Sequence, residues 1–222
     1  MTHIGCDTDR QFAKTCTGHR LVPMSTKRQK VILMTHNRLR NNIANGEITG
    51  YQKAANMSML LWDDELAYLA ELNVKQCDTK HDQCRSTERF KYAGQNIGLS
   101  WNSRRLANYG SLLKRIVKKW FFEHKDASME YINSFKFRSD KKPIGHFTAV
   151  IQDQSTHIGC ATAVYDKVRH VDGEDLSGKE FLLTCNYAIG NINDYPVYIT
   201  GQPCSKCPTR KCHSVYKSLC ES

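Results

Sequence analysis

His157-Ile158-Gly159-Cys160-Ala161-Thr162-Ala163-Val164-Tyr165 and, further along, Phe181-Leu182-Leu183-Thr184-Cys185-Asn186-Tyr187 decide the fold class. Both are rich in Thr, aliphatic and aromatic residues and read as strands, as does Phe147 to Ile151 just before them. Upstream the apolar period changes to that of helices. Ser25 can cap a helix through Val31, Ile32, Met34 and Leu39 to Ile43, with Gly46 as its stop. Asp63 and Asp64 open a second, in which Leu66, Leu69, Ala70 and Val74 share a face. A third runs from about Leu106 to His124; Leu112, Leu113, Ile116, Val117 and Trp120 form its apolar stripe, and Lys114, Arg115, Lys118 and Lys119 face out. Helices come first and strands follow. That order argues for an α+β layered domain and against a parallel βαβ array.

Composition narrows the class further. Of 222 residues, 40% are hydrophobic and 24% charged, the balance of a packed globular chain. Apolar runs such as Val31-Ile32-Leu33-Met34 fall far short of the roughly 20 residues a membrane-spanning helix needs. Ten cysteines, without iron–sulfur spacing, fit a secreted protein closed by disulfides. Met1-Thr2-His3-Ile4-Gly5 has no signal-peptide character, so the chain reads as a mature form with an added initiator Met. Asn56-Met57-Ser58 is an N-glycosylation acceptor.

Charge is unevenly spread. The net charge is +10, and between Ser103 and Pro143 eleven basic residues face four acidic ones. Arg104, Arg105, Lys114, Arg115, Lys118 and Lys119 form the candidate surface for an anionic partner, a sulfated glycan or an anionic membrane. After Gly201 the character changes: Cys204, Cys207, Cys212 and Cys220 fall in a tail almost without apolar residues. A segment so poor in core needs covalent staples, which favours structural disulfides over a zinc knuckle or redox reading of its CxxC.

Four motifs in order carry a resemblance. Gly145-His146-Phe147-Thr148-Ala149-Val150-Ile151 resembles the first signature of the CAP superfamily of cysteine-rich secretory, antigen 5 and pathogenesis-related proteins, and Leu183-Thr184-Cys185-Asn186-Tyr187-Ala188 with Asn191 resembles its second. His36-Asn37 with Arg40, and Gly94-Gln95-Asn96-Ile97, fit in their places. Leu61-Trp62-Asp63-Asp64-Glu65-Leu66-Ala67 and His81-Asp82-Gln83-Cys84-Arg85 are similar to the insect antigen 5 branch, found in saliva and venom.

The resemblance implies a three-layer α-β-α sandwich around a central antiparallel sheet. It divides the chain into an N-terminal disulfide-anchored extension (1–24), the CAP domain (25–200) and a cysteine-rich hinge-like tail (201–222). It implies the pairs Cys16–Cys77, Cys160–Cys185, Cys204–Cys212 and Cys207–Cys220, and leaves Cys6 and Cys84 to join each other. It also implies a cleft lined by His81, Gln95, Glu123 and His146, where two imidazoles with water resemble a weak zinc or copper site. Gln95 stands where the family has a second carboxylate, so the paired acids of general acid–base work are missing. Gln152 stands where the signature usually has Trp.

No HExxH, GxSxG, glycine-rich phosphate loop, ribonucleoprotein signature or Arg-Gly-Asp occurs, so nucleic-acid binding and an Arg-Gly-Asp integrin mode are excluded. The leading expectation is a secreted, non-enzymatic antigen 5-like protein, a salivary or venom factor and allergen. It would scavenge a fatty acid, eicosanoid or sterol, or block a host haemostatic or immune target. A Zn- or Cu-dependent enzyme on His81, His146 and Glu123, and a binder of anionic glycan or membrane through the basic face, are the rival readings.

Overall fold

The computed structural model describes residues 2–6, 8–138, 142–209 and 211–221. In chain order the elements are β1 (Arg20–Val22), α1 (Thr26–Ala44), β2 (Leu61–Trp62), α2 (Asp64–Val74), β3 (Gly94–Asn102), α3 (Tyr109–Phe122), a 3-10 turn (Glu123–Asp126), α4 (Met129–Asn133), α5 (Gly145–Ile151), β4 (His157–Val171) and β5 (Glu174–Tyr187). The sheet order is β1-β4-β5-β3, antiparallel throughout, with β2 added parallel to β4. Asp172 and Gly173, at φ 51° and 89°, turn β4 into β5; two left-handed residues match the twist of the hairpin they join.

Period-2 alternation places the layers. Ile158, Cys160 and Val164 of β4 and Phe181, Leu183, Cys185 and Tyr187 of β5 belong to the larger core, with the buried stripes of α1, α3 and α5. Their neighbours Ala161, Ala163, Tyr165 and Leu182 join Ala70 and Val74 of α2 in a second core on the opposite face. Both faces are therefore covered, which makes the chain a three-layer α-β-α sandwich around an antiparallel sheet.

Local chemistry sets the helix ends. Asp63 accepts the Leu66 N–H at 2.8 Å and caps α2, and the Asn108 carboxamide accepts from Gly110 and Ser111 and caps α3. That cap starts α3 at Tyr109, three residues after the expected Leu106. The expected strand at Phe147–Ile151 is the helix α5. Its five residues from Phe147 to Ile151 are all buried, and tertiary packing overrides the strand preference of Phe, Thr, Val and Ile.

Arg40 is the hub of the α1 side. It is fully buried and donates to the carbonyls of Ser58, Val150, Gln152 and Ser155. A single guanidinium thus ties α1 to the 58–60 segment and to the end of α5. Burial lowers its pKa to about 10, so it stays charged at neutral pH. Asn37 exchanges two hydrogen bonds with the Leu60 backbone and extends the same seam.

Disulfides join Cys16–Cys77, Cys160–Cys185, Cys204–Cys212 and Cys207–Cys220. The expected Cys6–Cys84 bond is not formed, and both are free thiols. The N-terminal segment does reach Cys84, since the Ile4 N–H donates to the Cys84 carbonyl, but a turn closed by the Cys6 N–H on His3 O leaves Cys6 exposed. The tail is docked on the body. Cys220 N–H donates to Met57 O at 2.7 Å, Lys206 N–H to Ala55 O, and Leu219 is fully buried in the larger core. Asn56, between the buried Ala55 and Met57, is half-buried beside this contact.

Candidate functional site

Two imidazoles come together where β3, α5 and the loop after α2 meet. Glu123, at the end of α3, reaches the start of α5: Oε1 lies 2.6 Å from His146 Nδ1, while Oε2 accepts the backbone N–H groups of His146 and Phe147 at 3.0 and 3.1 Å. Ile144 gives α5 no side-chain cap, and the carboxylate supplies one from a distance. Because an ionised carboxylate only accepts, His146 Nδ1–H is the donor, and in the neutral ring Nε2 keeps its lone pair. Trp120 stacks on the ring, centroids 6.0 Å apart and planes 13° from parallel.

His81 is held by a different chain of bonds. Gln95 donates Nε2–H to Asp82 Oδ2 at 2.6 Å and to Asn186 Oδ1 at 3.0 Å, which fixes the amide with Oε1 toward His81 Nδ1 at 2.8 Å. His81 Nδ1–H is therefore the donor and Nε2 is again free. Burial lowers the His81 pKa, repulsion from Arg85 and His146 lowers it further, and the Gln95 bond and Asp82 oppose the shift. The two rings are near enough for their charges to repel one another.

Backbone packing makes that cleft possible. A Cβ on Gly94 would come within 2.5 Å of Gly190 Cα, and one on Gly190 within 2.7 Å of Gly94 Cα. Only paired glycines let the loop after β5 cross the start of β3 at this distance. The crossing sets Asn191 against α5, where its Nδ2 donates to Gly145 O at 2.9 Å. Asn191 and His81 line one cavity of about 530 Å³, and Asn191 Oδ1 has no hydrogen-bond partner among the described residues.

Behind the cleft a buried relay runs into α1. Asn96 donates to His146 O and to the Tyr187 hydroxyl, Tyr187 O–H donates to His36 Nε2 at 3.0 Å, and His36 Nδ1–H donates to Ile32 O at 2.9 Å. Burial lowers the His36 pKa to about 4, which keeps it neutral and in this role.

The donor set fits a resident metal poorly. Both oxygens of Glu123 are committed to His146 and the α5 backbone, and Gln95 is a neutral amide locked to Asp82. Two imidazole Nε2 atoms and one neutral oxygen remain, whereas catalytic zinc keeps three protein ligands. Among the described residues no group of three or more His, Cys, Asp and Glu is placed to hold a metal ion.

The basic patch read from the sequence is divided by the fold. Arg104 and Arg105 precede α3 and line a hollow with Arg20 of β1 and Lys179 of β5. Lys114, Arg115, Lys118 and Lys119 lie along the outer face of α3 around Phe122, which is 55% exposed. Arg20 and Lys179 were invisible to a count along the chain, because only the sheet brings them to Arg104.

Comparison with known proteins shows the family. Residues 33–187 match CAP: Cysteine-rich secretory protein family. The chain is 48% identical to "Antigen 5 like allergen Cul n 1" of Culicoides nubeculosus over 72% of its length and 73% of the relative's. It is 36% identical to "Venom allergen-1" of Aedes albopictus over 98% of its length and 82% of the relative's. Among solved structures, NaASP2 with Zn2+ superposes with a TM-score of 0.66 at 25% identity, covering 89% of this chain and 96% of that one. With the signatures of α5 and β5 at the cleft and the sandwich around them, the chain belongs to the cysteine-rich secretory protein (CAP) family.

Proposed function

We propose that the chain is a secreted, non-enzymatic antigen 5-like factor of saliva or venom that acts by binding and blocking a host haemostatic or immune target. The observation that carries this is the commitment of Glu123. The cleft's carboxylate is used to cap α5 and orient His146, and its would-be partner is Gln95, so among the described residues no free pair of carboxylates is left for acid–base work. The antigen 5-like and venom-allergen relatives support the setting, as do four disulfides. Among the described residues no helix is long and apolar enough to cross a membrane.

The lipid-scavenging branch has less behind it. Leu112, Leu113, Ile116, Val117 and Trp120 of α3 are all buried in the core, so a lipid lodged between α1 and α3 would first have to part them. Zinc or copper at the two Nε2 atoms remains a weak, accessory property of the cleft in this reading.

The test adds the purified protein to stimulated platelets in plasma, beside a His81→Ala/His146→Ala variant. Inhibition that survives the double substitution supports blocking by surface contact. Inhibition that disappears, with turnover of a substrate that added zinc or copper restores in the wild type, would replace it with metal chemistry. Native mass spectrometry of the same sample, before and after a chelator, would reveal a co-purifying lipid and decide for scavenging.

A further inference from the structure

The hollow lined by Arg20, Arg104, Arg105 and Lys179 has a volume of about 840 Å³, and no described acidic residue lines it. Its cations come from three elements and are held differently. Arg20 donates to the Tyr109 hydroxyl and lies 5.4 Å from that ring's centroid, with Arg28 at 5.6 Å. Tyr109 in turn stacks on the buried Phe181, centroids 5.4 Å apart, so the platform is rigid. The turn carrying Arg104 and Arg105 is fixed by their backbone N–H groups on Asn102 Oδ1 at 2.8 and 3.1 Å. Neither guanidinium meets a carboxylate among the described residues, and both are exposed.

The hollow does not end there. A second one, of about 910 Å³, shares Arg104 and Lys179 as lining residues and adds Lys167, so the two hollows adjoin across those side chains and together form the candidate trough. Asp166 is its one described carboxylate, and it is paired with Lys179 at 2.5 Å.

We propose that this trough binds a sulfated glycosaminoglycan chain, with Arg20, Arg104 and Arg105 as the sulfate-holding residues. Guanidinium groups present planar forks that match the oxygens of a sulfate two at a time. Like charges gathered without counter-charges repel one another, and an anionic ligand relieves that repulsion. The shape selects among anions: a long concave trough receives a linear polyanion, whereas a bilayer is met by a face with exposed apolar groups. In the trough Leu106 and Tyr109 are half-buried, Val168 at 56% is the one large apolar side chain exposed among its described lining residues, and the exposed Phe122 lies at the far end of α3, about 20 Å from Tyr109 at 1.5 Å per residue. The site is independent of the histidine cleft and goes beyond the host-target reading.

Fluorescence anisotropy with a labelled heparin oligosaccharide, repeated across salt concentrations, tests the proposal. The Arg104→Ala/Arg105→Ala variant, whose side chains make no hydrogen bond or ion pair among the described residues, is expected to lose about tenfold in affinity. The slope of log affinity against log salt should fall by about two, one for each cation removed. Lys114→Ala/Lys118→Ala on the outer face of α3 should change little. Asp166→Asn should bind more tightly, because it releases Lys179. Equal losses in the two double variants would overturn the site, since they would reveal a diffuse field with no defined contact. So would a larger loss on α3, or binding of phosphatidylserine vesicles through Arg104 and Arg105 without binding of the oligosaccharide.

Discussion

Glu123 and His146 are joined twice, side chain to side chain at 2.6 Å and side chain to backbone at 3.0 Å, so one carboxylate both starts a helix and aims an imidazole. Glu123→Gln keeps the shape but puts an N–H donor where an acceptor is required. His146 Nδ1 can accept that N–H only by moving the ring proton to Nε2, and the charge-assisted bonds to the ring and to the α5 amides become neutral ones, at a cost of about 1–2 kcal/mol. Chemical denaturation should register that loss, and the His146 ring resonances in NMR should shift. An unchanged midpoint would show that the cap is dispensable.

The second half of the cleft gives the opposite kind of prediction. Gln95→Glu would set a carboxylate against Asp82, where the wild-type amide donates at 2.6 Å. The metal-free variant should be less stable by about 1–3 kcal/mol. It also supplies the missing anion beside His81, so zinc should bind more tightly to the variant than to the wild type and recover part of the stability. Isothermal titration with zinc checks both, and equal affinities would mean that the cleft histidines do not converge on a metal.

Arg40 should be the least replaceable residue outside the cysteines. Arg40→Met strands the buried carbonyls of Ser58, Val150, Gln152 and Ser155 together. Several unmet acceptors at once put the expected loss at about 3–5 kcal/mol, read as a collapse in secretion yield or melting temperature. Arg40→Lys, which keeps the charge but not the fork, should fall between.

Acid should weaken the fold through His36. Its pKa is 6.5 when unfolded and about 4 when buried, so the unfolded state binds more protons in between. Stability from this residue is complete above about 6.5 and drains away as the pH falls toward 4, by about 3 kcal/mol in all. His81, also lowered, acts in the same direction, while Asp153, raised by burial, acts against them at the acid end. Melting temperatures across this range should fall on acidification, and His36→Gln should flatten the curve.

How much of this was legible depends on the range of the interactions. Helices α1, α2 and α3 were readable because their apolar spacing is local, and so were β4 and β5. The helix α5 was not: Phe147-Thr148-Ala149-Val150-Ile151 has the composition of a strand, and burial among α1, α3 and the sheet decides otherwise. The cleft residues came from the family resemblance, since no spacing rule links His81 to His146. What the resemblance missed was chemical role: Glu123 is an orienting cap, a fact visible only once α3 ends opposite the start of α5. Arg20 and Lys179 escaped for the same reason as any site assembled by a sheet, because neighbours in register are distant in sequence.

The tail has a consequence for survival in a hostile fluid. Pro208, Thr209 and Lys211 are exposed, and a host protease cutting after Lys211 would sever the backbone between Cys207 and Cys212. Both tail disulfides span that cut, Cys204 to Cys212 and Cys207 to Cys220. The nicked molecule would keep its shape, its cleft and its trough, and would part into two pieces only on reduction.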